Sequence, residues 1–168
     1  MFKALVLYHS QEYGNTGEMA KAVAEGLKET GCAIDMFNTN DGRFDITRFP
    51  QYDGVAIGSP DYYSYVAGGL KMFMDDHYIY DVKKRLKGLR NKPFVLFYSH
   101  GGGGSVREIM PGLFRRIGTQ VGEPVESMGR PDQRVLEQCK ALGRQLAAAL
   151  NDNRIKQQIT FPSERSVN

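Results

Sequence analysis

The first group of residues that could take part in binding or catalysis lies between Leu5 and Met19, in the stretch LVLYHSQEYGNTGEM. An apolar run ends there at hydroxyl groups and a glycine, and a helical pattern begins at once. Gly14 allows a tight turn, and the first turn of the following helix presents unpaired N–H groups at the positive end of its dipole. The pattern predicts a phosphate-binding loop. It comprises Ser10, Gln11, Glu12, Tyr13, Gly14, Asn15 and Thr16.

Two common nucleotide-binding motifs are missing from the chain. No lysine lies between Tyr8 and Ala20, and neither the Gly-Lys-Ser/Thr pattern of nucleoside triphosphate loops nor the GxGxxG pattern of dinucleotide folds occurs anywhere. The alternative for the loop is an ordinary strand-to-helix turn, in which Asn15 caps the helix and Glu18 completes a capping box.

A second loop, Ser59 to Gly69, reads SPDYYSYVAGG and follows a short apolar run. Its tyrosines, Tyr62, Tyr63 and Tyr65, could stack on a planar ligand, since aromatic stacking adds roughly 0.5–1.5 kcal/mol beyond burial. In the alternative interpretation they only cover the end of the sheet.

The third loop, Ser99 to Ser105, reads SHGGGGS. Glycines leave backbone amides open to the edge of a flat heterocycle because they carry no side chain. His100 is the candidate catalytic residue, as a hydrogen-bond donor from this loop. The alternatives are a flexible linker for the glycines and a solvent-facing position for His100.

The elements that must position these loops alternate along the chain. Apolar runs predict strands over Phe2 to Tyr8, Cys32 to Phe37, Gly54 to Gly58 and Pro93 to Tyr98, with a weaker candidate over Gln120 to Met128. Helical stripes lie between and after them, and a short helix is predicted around Ile46 to Phe49. This alternation predicts an α/β fold with βαβ units on a parallel sheet, whose ligands bind beyond the carboxyl ends of the strands. We expect one domain over residues 1–151 and a polar C-terminal tail over residues 152–168.

Composition narrows the functional classes. The net charge is +3, but residues 1–84 carry 8 basic and 12 acidic groups (net −4), whereas residues 85–168 carry 14 and 7 (net +7). The basic half could attract an anionic partner such as a pyridine nucleotide or an acidic protein, and the alternative is that its basic residues form solvated helix faces. No nucleic-acid-binding module is recognisable. The two cysteines are far apart, and no apolar run approaches the roughly 20 residues of a membrane span. We expect a soluble cytoplasmic protein without a metal site.

The three loops together carry a family resemblance, most specifically through the pattern GSPxxxxxxAGxxKxFMD from Gly58 to Asp75. The chain resembles the flavodoxin-like FMN-binding superfamily, and its loops are most similar to the branch of WrbA-type NAD(P)H:quinone oxidoreductases and short flavodoxins. The resemblance implies a doubly wound five-stranded sheet of order 2-1-3-4-5 with helices on both faces. It also implies FMN, with the phosphate in the first loop and the isoalloxazine ring between the other two. The ring-binding residues would be Ser59, Pro60, Asp61, Tyr62, Tyr63, Ser64, Tyr65, Ser99, His100, Gly101, Gly102, Gly103 and Gly104.

The function could be enzymatic or that of a carrier. Electron carriers of this family stabilise one-electron-reduced flavin by turning a peptide, often at glycine, and the stretch Asp61 to Tyr65 contains no glycine. A positive φ at Tyr62 or Tyr63 would cost roughly 1 kcal/mol or more. We therefore expect two-electron transfer from NAD(P)H to a quinone or similar acceptor. The alternatives are a flavodoxin-type carrier between protein redox partners and, less favoured, an interaction domain without FMN. A homo-oligomer is also possible.

Overall fold

The computed structural model describes the backbone of residues 1–160 and the side chains of residues 1–153. Its centre is a parallel sheet built from strands β1 (Lys3–Tyr8), β2 (Ala33–Asn38), β3 (Gly54–Pro60), β4 (Lys92–His100), β5 (Gly118–Gln120) and β6 (Val125–Met128). The strand order is β2-β1-β3-β4-β5, and β6 also pairs with β4. The predicted doubly wound sheet of order 2-1-3-4-5 is therefore confirmed.

Helices cover both faces of this sheet. They are α1 (Asn15–Lys28), the 3₁₀ helix Ile46–Gln51, α2 (Gly68–Tyr78) with a π-helical extension Ile79–Lys83, α3 (Val106–Phe114) and α4 (Gln133–Thr160). Helices α1 and α4 pack on one apolar core, and α2, α3 and the 3₁₀ helix pack on the other. The middle strands β1, β3 and β4 are buried on both faces, as their continuous apolar runs predict.

The weak strand predicted over Gln120 to Met128 is two strands in the structure. Strand β5 pairs with the start of β4, at Lys92 to Phe94, and β6 pairs with its end, at Phe97 to His100. The chain turns between them at Gly122, whose φ is 64°. The carboxyl end of β6 therefore lies directly beside His100.

Helices α1 and α4 cross at two glycines. A Cβ atom on Gly26 would overlap the carbonyl oxygen of Lys140, and one on Gly143 would overlap the carbonyl oxygen of Val23. Backbones can approach this closely only where side chains are absent. The crossing fixes α1, and with it the predicted phosphate loop at its N-terminus.

Three further predictions concern the whole chain. Cys32 and Cys139 are buried free thiols. No helix in the described part of the chain is long and apolar enough to span a membrane. The polar tail over residues 152–168 stays a prediction, because α4 continues the backbone to Thr160 and residues 161–168 lie outside the described part.

Candidate functional site

The three predicted loops converge on one cavity of about 240 Å³ at the carboxyl ends of β1, β3 and β4. Its lining residues are Ser10, Gln11, Glu12, Tyr13, Asn15, Thr16, Pro60, Asp61, Tyr62, Ser99, His100, Gly101 and Gly129. All but Gly129 belong to the predicted set. Two broader hollows of about 830 Å³ each lie at the opposite end of the sheet and beside α4, outside these loops.

The first loop is held from two sides. Asn38, at the end of β2, accepts a hydrogen bond from the Ser10 N–H (3.0 Å) and donates one to the Ser10 carbonyl (2.8 Å). The Ser10 Oγ accepts from the N–H of Gly17 at 3.0 Å. The predicted alternative of a capping box is wrong, because the cap residue is Gly14, which has a φ of 73° and no side chain. The amides of Asn15 and Thr16, in the first turn of α1, have no intrahelical acceptor, and both residues line the cavity.

A buried pair of hydroxyls joins the first loop to the third. The Thr16 Oγ1 and Ser99 Oγ atoms lie 2.8 Å apart, and both residues are buried. Thr16 therefore connects two walls of the cavity in addition to lining it.

The second loop presents one of its three tyrosines to the cavity. The Tyr62 hydroxyl accepts a hydrogen bond from Gln11 Nε2 (3.0 Å), and its ring lies edge-on to His9 with centroids 6.0 Å apart. Tyr62 pairs with Tyr65 across the turn, leaving Tyr63 at the tip, fully exposed to solvent. Tyr63, Ser64 and Tyr65 do not line the cavity.

Ser59 shapes this loop from beneath. It is fully buried, and its Oγ accepts from the Ala67 N–H (3.1 Å) and donates to the Pro60 carbonyl (2.7 Å). Ser59 thus supports the backbone between β3 and α2 and does not line the cavity. Its predicted ring-binding role stays a prediction.

Backbone conformation in the second loop differs from the sequence argument. Tyr63 and Ser64 have φ values of 53° and 62°, so the fold already holds positive φ where the residue types disfavour it. The sequence argument made a positive φ costly at Tyr63, and the fold adopts it there nonetheless. The argument that residues 61–65 disfavour one-electron chemistry because they include no glycine therefore loses its support.

Asp61 connects the second loop to the third. Its carboxylate accepts from the Ser64 N–H at 2.8 Å and from the Val106 N–H, in the first turn of α3, at 3.0 Å. Gly104 packs against this carboxylate with a φ of 89°, so closely that a Cβ atom would overlap the carboxyl group.

The glycine loop divides between two spaces. Gly101 lines the main cavity, whereas Gly102, Gly103 and Gly104 line an adjoining hollow of about 220 Å³. The loop leads directly from β4 into α3 of the same domain. The alternative of a linker between domains is wrong.

His100 lies between the two spaces with a side chain only 14% exposed, so the solvent-facing alternative is also wrong. Its Nε2 is 2.8 Å from Glu126 Oε1, and its Nδ1 is 2.9 Å from the backbone nitrogen of Gly102. Its ring stacks beside that of Tyr98, with centroids 5.9 Å apart.

Several donor groups surround the carboxylate of Glu126, which lies on β6. Tyr98 donates its hydroxyl to Oε2 at 2.7 Å, and Arg107 Nη1 lies 3.6 Å from the same oxygen. Hydrogen bonds from Tyr98 and then His100 lower the pKa of Glu126, while burial and then the nearby carboxylate raise the pKa of Tyr98 above its usual range. Glu126 is therefore held as a carboxylate beside the glycine loop.

Asn38, Glu126 and Gly129 are site residues that the sequence reasoning missed. Asn38 ends β2, and Gly129 directly follows β6. The rule that ligands bind beyond the carboxyl ends of strands would have found both, had it been applied to β2 and to the weak last strand. No sequence pattern marks Glu126 as a site residue, because its place beside His100 depends on the pairing between β6 and β4.

The fold and the site together define a family. The sequence profile of the family described as Flavodoxin matches residues 6–143. The chain therefore belongs to the flavodoxin family, an FMN-binding family.

Individual proteins that resemble the chain have low sequence identity to it. The chain is 29% identical over 170 residues to a putative diflavin flavoprotein A 5 of Nostoc sp., covering 98% of this chain and 29% of that protein. It spans less than a third of the length of the curated relatives it matches. A flavodoxin from the domain Archaea superposes with a TM-score of 0.74 at 23% identity (89% of this chain, 99% of that one). A WrbA-like flavodoxin from Agrobacterium tumefaciens gives 0.75 at 18% (91% and 99%).

The cavity fits FMN on its own geometry. A Cβ atom placed on Gly14 or Gly101 would meet nothing within 4 Å, so open space lies over both backbones. The Nε2 atom of buried His9 has no hydrogen-bond partner among the described residues, and burial lowers the pKa of His9, which keeps the ring neutral. Open glycines, free first-turn amides and a wall tyrosine match a phosphate joined to a planar ring.

Proposed function

We propose that this chain is an FMN-dependent oxidoreductase domain that transfers two electrons from NAD(P)H to a quinone or a similar small acceptor. The observation that carries the proposal is the convergence of all three loops on one cavity with an amide-bearing wall and an aromatic side chain. When bound, FMN supplies the hydride and electron chemistry, and the protein supplies binding, orientation and electrostatics.

The first loop and α1 would hold the phosphate. The amides of Asn15 and Thr16 stand at the positive end of the helix dipole, and Gly14 lets a ligand approach the backbone closely. No lysine is required, because charge-assisted hydrogen bonds contribute roughly 1.5–3 kcal/mol each.

The second and third loops would hold the ring. Tyr62 offers an aromatic wall whose orientation is fixed by Gln11 and His9. Gly101 and His100 also line the cavity, and the Gly101 backbone has open space over it.

Cations at the rim support an anionic electron donor such as NAD(P)H. The Arg130 side chain is 81% exposed, beside cavity residue Gly129, and lies 3.6 Å from Glu18. Arg107 lies 3.6 Å from Glu126. These long, exposed ion pairs are weak, so both guanidinium groups can turn toward a phosphate.

The test is anaerobic mixing of the FMN-loaded chain with NADH and then NADPH, followed through the visible absorbance of oxidised flavin. We expect rapid bleaching that a quinone reverses. Arg130→Gln should raise the KM for the pyridine nucleotide about two- to fivefold, the range expected for one exposed ion pair. The matched control is Arg116→Gln, an exposed arginine remote from the cavity. Flavin that stays oxidised with both nucleotides would refute the enzymatic proposal.

A second candidate is an electron-transfer module for a protein partner. The exposed aromatic side chains of Tyr13 (86%) and Tyr63 (105%) near the cavity favour it, and so does the positive φ already present at Tyr63 and Ser64. In this case the flavin would be reduced by dithionite or by a partner reductase and would not respond to NADH or NADPH.

A further inference from the structure

Glu126 is the residue on which the geometry of the glycine loop converges. The backbone N–H of Gly102 can only donate, so the Nδ1 of His100, 2.9 Å away, must be an unprotonated acceptor. The proton of the neutral ring is then on Nε2, which donates to Glu126 Oε1 at 2.8 Å. The two hydrogen bonds of His100 therefore define one tautomer.

The carboxylate is what selects this tautomer. Glu126 Oε2 already accepts from Tyr98, and Oε1 is left for His100. Its lowered pKa keeps both oxygens as acceptors. Three other charged side chains line the same hollow. Arg107 lies 3.6 Å from Glu126, and the other two are Asp61 and Glu108.

We propose that Glu126 is a positioning residue for the flavin site: through the Nε2–H of His100 it frees Nδ1 to hold the Gly102 amide and so sets the conformation of the Gly101 to Gly104 loop. Gly102 has a φ of 113°, and its bond to His100 anchors this turn. The role of this loop in binding FMN rests on the proposed function. Glu126 itself does not line the main cavity and acts through His100.

Glu126→Gln tests the proposal, with Glu123→Gln as the charge-matched control. An amide has one acceptor oxygen where a carboxylate has two, so Tyr98 and His100 would compete for it. Glu123 is an exposed acid just before β6. Tyr98→Phe is a second comparison, because it removes the other donor to Glu126 and keeps the bond to His100.

The first readout is the ¹⁵N spectrum of the His100 imidazole in the FMN-free protein. We expect Nε2 protonated in the wild type, in Glu123→Gln and in Tyr98→Phe, and a mixture of the two tautomers in Glu126→Gln. A merely structural role for Glu126 would not move this signal. An Nδ1-protonated ring in the wild type, or an unchanged tautomer in Glu126→Gln, would overturn the proposal.

The second readout is the dissociation constant for FMN. Replacing the charge-assisted bond that orders the loop by a neutral, shared one should raise this constant three- to tenfold in Glu126→Gln. Glu123→Gln should change it less than twofold. Equal values in the two variants would also overturn the proposal. If the wild type fails to bind FMN, the proposed function fails, whereas the tautomer comparison still decides whether Glu126 sets His100.

Discussion

Gly104→Ala is the substitution that tests most directly how the second and third loops are locked together. The new methyl group would overlap the carboxyl group of Asp61, which accepts hydrogen bonds from Ser64 and Val106. The carboxylate must move, and both bonds are then weakened or lost. The neighbouring residue gives a matched control, since a Cβ atom on Gly103 meets nothing within 4 Å.

The magnitude follows from two terms. An alanine forced to keep the φ of 89° seen at Gly104 costs about 1–2 kcal/mol. Displacing the carboxylate from its donors costs about 1.5–3 kcal/mol for a bond to a charged group. Because the loop can relax partly, we expect Gly104→Ala to lower the free energy of unfolding by roughly 2–4 kcal/mol. Gly103→Ala should change it by about 0.5 kcal/mol or less, as is usual for surface substitutions.

The assay is urea unfolding of both variants, with and without FMN, together with the double-mutant cycle that adds Asp61→Ala. The cycle isolates the clash, because Gly104→Ala should be less destabilising by about 1 kcal/mol or more once the carboxylate is gone. Equal stabilities for Gly103→Ala and Gly104→Ala would refute the reasoning. Strictly additive effects of Asp61→Ala and Gly104→Ala would show that the two residues are not in contact.

Three further predictions concern the frame around the site. Gly26→Ala should destabilise the fold by about 2 kcal/mol or more, because the methyl group meets the backbone of α4. Gly112→Ala, in an open and exposed part of α3, should stabilise it by up to about 1 kcal/mol. Melting temperatures of the two variants that shift in the same direction would contradict this prediction. Thr16→Val leaves the buried Ser99 hydroxyl without its partner and should cost about 1–3 kcal/mol in urea unfolding, so an unchanged midpoint would contradict the pairing. Burial lowers the pKa of His77 in the folded protein, so only the unfolded chain binds a proton at this residue as the pH falls below about 6.5. The free energy of unfolding should therefore fall from pH 7 toward pH 5, and His77→Gln should flatten part of that slope. Parallel pH profiles for the variant and the wild type would count against this prediction.

Much of the fold was predictable because its signals are local. The apolar runs of β1, β3 and β4 are continuous, as expected for strands buried on both faces. The division of the last strand was not predictable, because β5 and β6 are three and four residues long and exist only through pairing with β4.

The site was predictable at the level of loops and less so at the level of single side chains. Ser59 lies at the end of β3 and Tyr62 just beyond it, yet Ser59 is buried beneath the loop and Tyr62 lines the cavity. The tight turn between Tyr62 and Tyr65 decides which tyrosine faces the cavity, and residue types that disfavour positive φ gave no sign of it. His100 was named from the sequence as the candidate catalytic residue and lines the cavity, whereas its partner Glu126 lies 26 positions along the chain.

The separate pairing of β5 and β6 also marks a place where this domain can be lengthened. Each strand takes its register from its own ladder with β4, so the linking residues 122–124 set neither register. We expect extra sequence placed between Glu123 and Pro124, even a folded reporter protein, to leave the register of both ladders unchanged. Because β6 leads to Gly129 at the cavity, this junction is a natural attachment point for a fused electron donor or acceptor module.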